Sequence, residues 1–156
     1  MPTPRVETVA TPAVSDRRPL TLCIDDDPVM LDVIEAYLSG EDWELVRAGD
    51  GREGIEAAGR RMPDLVLLDV TMPDMDGYAV CAELTARPDA AFTPVIFLTA
   101  LGGERDKMKA FAAGAADYLT KPVDAGALLK KVKTHLATRR AWRSLEESTV
   151  PAGPVA

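Results

Sequence analysis

Apolar residues along this chain come in short dense runs separated by longer stretches of helical periodicity. Residues 20–25, 64–69 and 94–99 each hold a run with little polar alternation, which predicts strands covered on both faces. Residues 43–48 and 117–120 are more mixed, and read as two further strands. Between them lie the helices. Asp27-Pro28 sets an N-cap with proline at the first helical position, and Leu31, Ile34 and Leu38 recur at helical spacing until Ser39-Gly40. Small residues fill a helix over 51–61, ended by Met62-Pro63, and another helix runs from Gly77 to about Ala86. After the Gly102-Gly103 turn a helix carries Met108, Phe111, Ala112 and Ala115. A last helix starts near Asp124, passes through Leu128, Leu129, Val132 and Leu136, and extends toward Leu145 and Glu147.

Strand and helix alternate five times with short links, so the expected fold is α/β: a five-stranded parallel sheet with helices on both faces. In such sheets ligands bind beyond the carboxyl ends of the strands. That edge collects Asp25 and Asp26 after the first strand and Asp69 after the third. Thr99 closes the fourth, and Lys121 follows the fifth. Three converging carboxylates repel one another unless a cation sits among them, and oxygen-only ligands suit Mg²⁺. A carboxylate beside such an ion and an ammonium group is placed to become an aspartyl phosphate.

The run Asp69-Val70-Thr71-Met72-Pro73-Asp74-Met75-Asp76-Gly77, with Asp25-Asp26, Thr99-Ala100 and Lys121-Pro122, resembles the signature of the receiver domain of two-component response regulators, in a chemotaxis-regulator-like form. The likeness covers residues 19–140. It implies the flavodoxin-like strand order 2-1-3-4-5, and phosphorylation of Asp69 from the phosphohistidine of a sensor histidine kinase or phosphotransfer protein. It implies side-chain ligation of Mg²⁺ by Asp26 and Asp69, ligation through water by Asp25, and by the backbone carbonyl of Thr71. Lys121 would contact the phosphoryl group and precede a cis peptide bond. Thr99 and Tyr118 would act as the switch, with Tyr118 turning inward and the face of the fourth helix, fifth strand and fifth helix changing. That face would reach a downstream protein or output domain, or a second copy in a homodimer. Positions tuning phosphoryl loss fall at Thr71 and Leu101; the apolar Leu101 argues for a lifetime that is not unusually short.

Other motifs read more plainly. Gly49-Asp50-Gly51-Arg52-Glu53-Gly54 matches GxGxxG, but follows the second strand of a chain too short for a second nucleotide-binding half. It is expected to be a turn and a close-packed helix start. Asp74, Asp76 and Glu83 mimic half of an EF-hand loop, with Met72 where the first acidic ligand belongs. No GxxxxGK[ST] run is present. The rival is an enzyme: Asp25-Asp26-Asp27-Pro28-Val29 also fits the DxDx[TV] pattern of haloacid-dehalogenase-like phosphatases, with Asp25 as nucleophile and Asp27 as acid/base. That reading finds only Asp124 where an acidic pair should follow the lysine, and leaves the Asp69 loop unexplained. Asp27 is expected only to cap a helix, and the chain to be a switch with no turnover beyond its own phosphorylation and dephosphorylation.

At 156 residues there is room for one domain, and a net charge of −7 argues against direct contact with nucleic acid or an anionic membrane. The final helix is nonetheless basic, with Lys130, Lys131, Lys133, His135, Arg139, Arg140 and Arg143, and is expected to be a solvated face. Trp142 and Leu145 prolong its apolar stripe, as in a stalk or partner-docking extension over 141–156. Residues 1–18 and 149–156 are expected to be a disordered leader and tail. Cys23 and Cys81 show no CxxC pairing and are expected to be buried, reduced thiols of a cytoplasmic protein.

Overall fold

A computed structural model of the chain describes residues 18–87, 93–100 and 102–149. Residues 1–17 of the leader, 150–156 of the tail and Leu101 lie outside the described residues. The elements are β1 (Leu20–Ile24), α1 (Pro28–Leu38), β2 (Glu44–Ala48), α2 (Gly51–Arg60), β3 (Leu65–Asp69), α3 (Gly77–Thr85), β4 (Val95–Thr99), α4 (Glu104–Ala112), β5 (Asp117–Thr120) and α5 (Ala125–Thr149). All strand pairs are parallel, in the order β2-β1-β3-β4-β5. The chain reverses direction of growth between β1 and β3, and the carboxyl edge beside that reversal is where the acidic residues meet.

The strands alternate between two cores, as a pleated sheet requires. Leu22, Ile24, Val66, Leu68, Val95 and Phe97 pack toward α2, α3 and α4. Cys23, Leu65, Leu67, Ile96 and Leu98 pack toward α1 and α5, where they meet Leu31, Ile34, Leu128 and Val132. The three inner strands are buried at every position, whereas the edge strands β2 and β5 are only half covered. Both thiols are buried and free, and burial pushes Cys23 up to about 12 and Cys81 up to about 11, so neither is a nucleophile at neutral pH.

The GxGxxG stretch is a helix start and not a nucleotide loop. Asp50 caps α2 by accepting from Glu53 N, and Glu53 Oε1 reaches back to Gly49 N at 2.6 Å, a reciprocal capping pair. Gly54 lies flush against the Ile24 side chain, which lets α2 approach the sheet closely.

Two expectations need correction. The apolar positions that mark α4 in the sequence are not its buried face: Ala110 alone is buried, while Met108 is 70% and Phe111 51% exposed. A helix laid over a half-covered edge strand has little to pack against, and the alanine permits the closer approach. The basic face of α5 is also less solvated than expected. Arg139 is buried, and Lys131 and His135 are half-buried against Asp117 at 3.0 and 2.9 Å. Those two side chains tie α5 to the start of β5, and burial of Asp117, which raises its carboxyl, is outweighed by their hydrogen bonds, which hold it below its ordinary range. Lys130, Lys133 and Arg140 remain exposed, as expected. Trp142 and Leu145 are exposed large apolar residues on the last turns of α5. Among the described residues no helix is long and apolar enough to cross a membrane.

Candidate functional site

Each acidic side chain reaches the carboxyl edge because a buried strand delivers it. Asp25 directly continues β1, and its N–H donates to the carbonyl of Ala48 at 3.1 Å. One carboxylate oxygen of Asp25 accepts from Asp27 N at 2.9 Å, which leaves the other to face Lys121 Nζ at 3.1 Å. Asp69 ends β3, and its Oδ1 lies 3.3 Å from the same ammonium. Asp25, at 2% exposure, and Asp69 are buried, while Asp26 is exposed. The three offer carboxylate oxygens that all lie within 4.8 Å of one another. Thr99, buried at the end of β4, accepts from Lys121 N at 2.7 Å through its carbonyl. That bond holds the chain after β5 against the end of β4, and the Lys121–Pro122 peptide there is cis.

The electrostatics are those of a site short of positive charge. Burial, then the neighbouring charge of Asp25, raise the Asp69 carboxyl above its ordinary range, with Lys121 only partly opposing them. Burial pulls Lys121 down, but its hydrogen bond to Asp25 and the charges of Asp25 and Asp69 leave it above the usual ammonium value. One ammonium therefore serves two buried carboxylates with a third close by. The donor set is oxygen-only, acidic and open to solvent on the Asp26 side, which fits a hard divalent cation better than zinc or copper.

The β3–α3 loop bends sharply after Asp69. Gly77 N donates to Val70 O at 2.6 Å, and Asp76 caps α3 by accepting from Ala79 N at 2.9 Å. Thr71 is exposed at the start of this loop. Asp74 and Asp76 are thus occupied with backbone N–H groups, and no EF-hand ligand set exists there. Asp27 accepts from Val29 N at 3.0 Å as the cap of α1, the structural role expected of it, and the phosphatase reading finds no support. Tyr118 is buried in β5, within the core cluster that also holds Phe97.

A model of the response regulator receiver domain matches residues 21–133. The chain belongs to that family. Response regulator PleD of Caulobacter vibrioides is 40% identical over 113 residues, which make up 72% of this chain and 25% of PleD. Protein PilH of Pseudomonas aeruginosa is 36% identical over 116 residues, 74% of this chain and 96% of PilH. A putative response regulator from Chloroflexus aurantiacus, solved as a crystal structure, has a TM-score of 0.74 at 35% identity, with 78% of this chain and 99% of that one covered. The receiver therefore spans only a quarter of PleD but nearly the whole of PilH. This receiver domain is a signalling module of two-component systems, and its strand order is the expected one.

One contact has no signal in the sequence. The Asp74 carboxylate accepts from Gly51 N at 3.1 Å and Arg52 N at 3.0 Å, the first amides of α2. Its partners lie 23 and 22 residues away, and nothing in the Met-Pro-Asp-Met-Asp-Gly run marks which carboxylate turns outward to them.

Proposed function

We propose that Asp69 accepts a phosphoryl group from the phosphohistidine of a sensor histidine kinase or phosphotransfer protein, and that the domain works as a phosphorylation-controlled interaction switch in the cytoplasm. The observation that supports this most is Lys121 Nζ lying between Asp25 and Asp69, side chains 96 and 52 residues away in the chain. In the transfer a carboxylate oxygen of Asp69 forms the new bond to phosphorus. The bond from phosphorus to the imidazole nitrogen breaks, and the imidazole keeps the electron pair and takes up a proton. Asp25, Asp26, Asp69 and the backbone carbonyl of Thr71 would hold Mg²⁺. The bound ion would offset the negative charge that the phosphoryl group brings to the carboxylates.

The chain's own groups account for the switch. Lys121 exchanges a contact with Asp69 for one with a phosphoryl oxygen, and the Thr99 hydroxyl donates a hydrogen bond to another. These contacts exist in only one state, so they bias the face of α4, β5 and α5, with Tyr118 inward. Moving a two-state balance from 1:99 to 99:1 takes about 5.5 kcal/mol of such differential contact. The recipient is a downstream protein, an output domain or a second copy of the receiver, without direct nucleic-acid or membrane contact.

The test is incubation with acetyl phosphate and Mg²⁺, followed by mapping of the modified residue by mass spectrometry. One acyl phosphate per chain on Asp69 is the expected result. Multiple-turnover hydrolysis that persists in Asp69→Asn and disappears in Asp25→Asn would show a phosphatase instead.

A further inference from the structure

The β3–α3 loop is fastened to α2, the neighbouring helix on the same face of the sheet, through an exposed side chain. Asp74 sits at the tip of the β3–α3 loop, and both oxygens of its carboxylate are engaged by α2, at Gly51 N and Arg52 N. Met75 packs beside the same turn: a methyl group added at Gly51 would lie 2.5 Å from Met75 Cγ and 2.8 Å from Val80 Cγ2. The chain leading into α2 is tied to the site, because Ala48 at the end of β2 accepts from Asp25 N. Thr71 lies in the few residues between Asp69 and this anchor.

We infer that Asp74 is a positioning residue for phosphoryl acceptance: by capping α2 it holds the loop carrying Thr71 at the acidic cluster. The inference rests on the proposed role of that cluster as a Mg²⁺ site. Without the tether the loop spends part of its time displaced, and a ligand's apparent affinity falls by the fraction of time the competent arrangement is populated. The Asp74 side chain is exposed and meets backbone amides at the start of α2, so its removal opens no cavity in the core. Asparagine keeps one acceptor oxygen but turns an NH2 donor toward the second amide, so it retains about half of the two-pronged tether while bearing no charge.

The measurement is an NMR titration of the metal-free protein with Mg²⁺, alongside amide hydrogen exchange at Gly51 and Arg52. Asp74→Ala is expected to weaken Mg²⁺ binding by about three- to tenfold, the loss of one cap in affinity terms, and to speed exchange at both amides. Asp74→Asn, which keeps one of the two acceptors, is expected to fall between Asp74→Ala and wild type. Unchanged affinity in Asp74→Ala overturns the inference, and so does weaker binding in Asp74→Ala with exchange at Gly51 and Arg52 left as in the wild type. Wild-type protein whose resonances at Asp25, Asp26 and Asp69 ignore Mg²⁺ overturns the parent reading as well, so the two failures are told apart.

Discussion

Replacing Asp69 with asparagine is expected to have two opposite effects: acyl phosphate formation disappears, and the metal-free protein becomes more stable. The first follows because the amide of asparagine is no nucleophile toward phosphorus. The second follows from the crowding of charge. Burial and the neighbouring Asp25 raise the Asp69 carboxyl in the folded state above its unfolded value. A folded acid that holds its proton more tightly than the unfolded one favours folding at low pH, and that contribution is lost as pH rises through the folded value. At neutral pH the ionised Asp69 thus opposes folding, and asparagine removes the opposition while still offering an oxygen to Lys121. Urea unfolding without divalent metal should give a higher midpoint for Asp69→Asn at pH 7, with the gap closing toward pH 4. Saturating Mg²⁺ should stabilise the wild type more than the variant, since an ion that binds only the folded protein stabilises it by mass action. A wild-type midpoint at or above the variant's across that range, without metal, would show that Lys121 alone balances the cluster.

The contrast between what the sequence makes legible and what it hides follows from the range of the interactions. The inner strands β1, β3 and β4 are apolar at nearly every position, so burial on both faces and parallel pairing follow from pattern alone. Capping is equally local: Asp27, Asp50 and Asp76 each serve the helix they precede. The cluster of Asp25, Asp69 and Lys121 was legible because a parallel sheet brings the ends of its strands to one edge whatever the intervening length. Orientation about a helix axis was not. The stripe of Met108 and Phe111 on α4 has helical spacing, yet Ala110 is the residue that packs inward. Spacing shows that a stripe exists but not which neighbour covers it. Arg139 is similar: in the sequence it is one basic residue among several, and only the packing of α5 buries it. The Asp74 tether joins a loop to the start of a helix, and their approach depends on the finished fold.

Gly77→Ala is expected to be the most damaging small substitution in the chain. The added methyl group would collide with the Asp69 carbonyl oxygen and lie 2.8 Å from Val70 Cα and 3.0 Å from Asp69 C. All three are backbone atoms at the strand end that presents Asp69, so none can turn aside as a side chain would. Relief requires the start of α3 to move away from β3, which strains the short hydrogen bond from Gly77 N to Val70 O and shifts Asp69 relative to Lys121. Overpacking against side chains costs about 1–3 kcal/mol, and rigid backbone places this case at about 3 kcal/mol or more. Gly59→Ala is the internal control. Gly59 lies within α2, and its nearest prospective neighbour is the far end of the Arg87 side chain at 3.5 Å. There the change should raise stability by about 0.5–1 kcal/mol through the helix preference of alanine. Chemical denaturation of the two variants should give midpoint shifts of opposite sign. Phosphorylation by acetyl phosphate should be lost or slowed severely in Gly77→Ala and unaltered in Gly59→Ala. Equal tolerance of both substitutions would mean that the β3–α3 turn yields at Gly77, and that Asp69 does not depend on this close approach for its position.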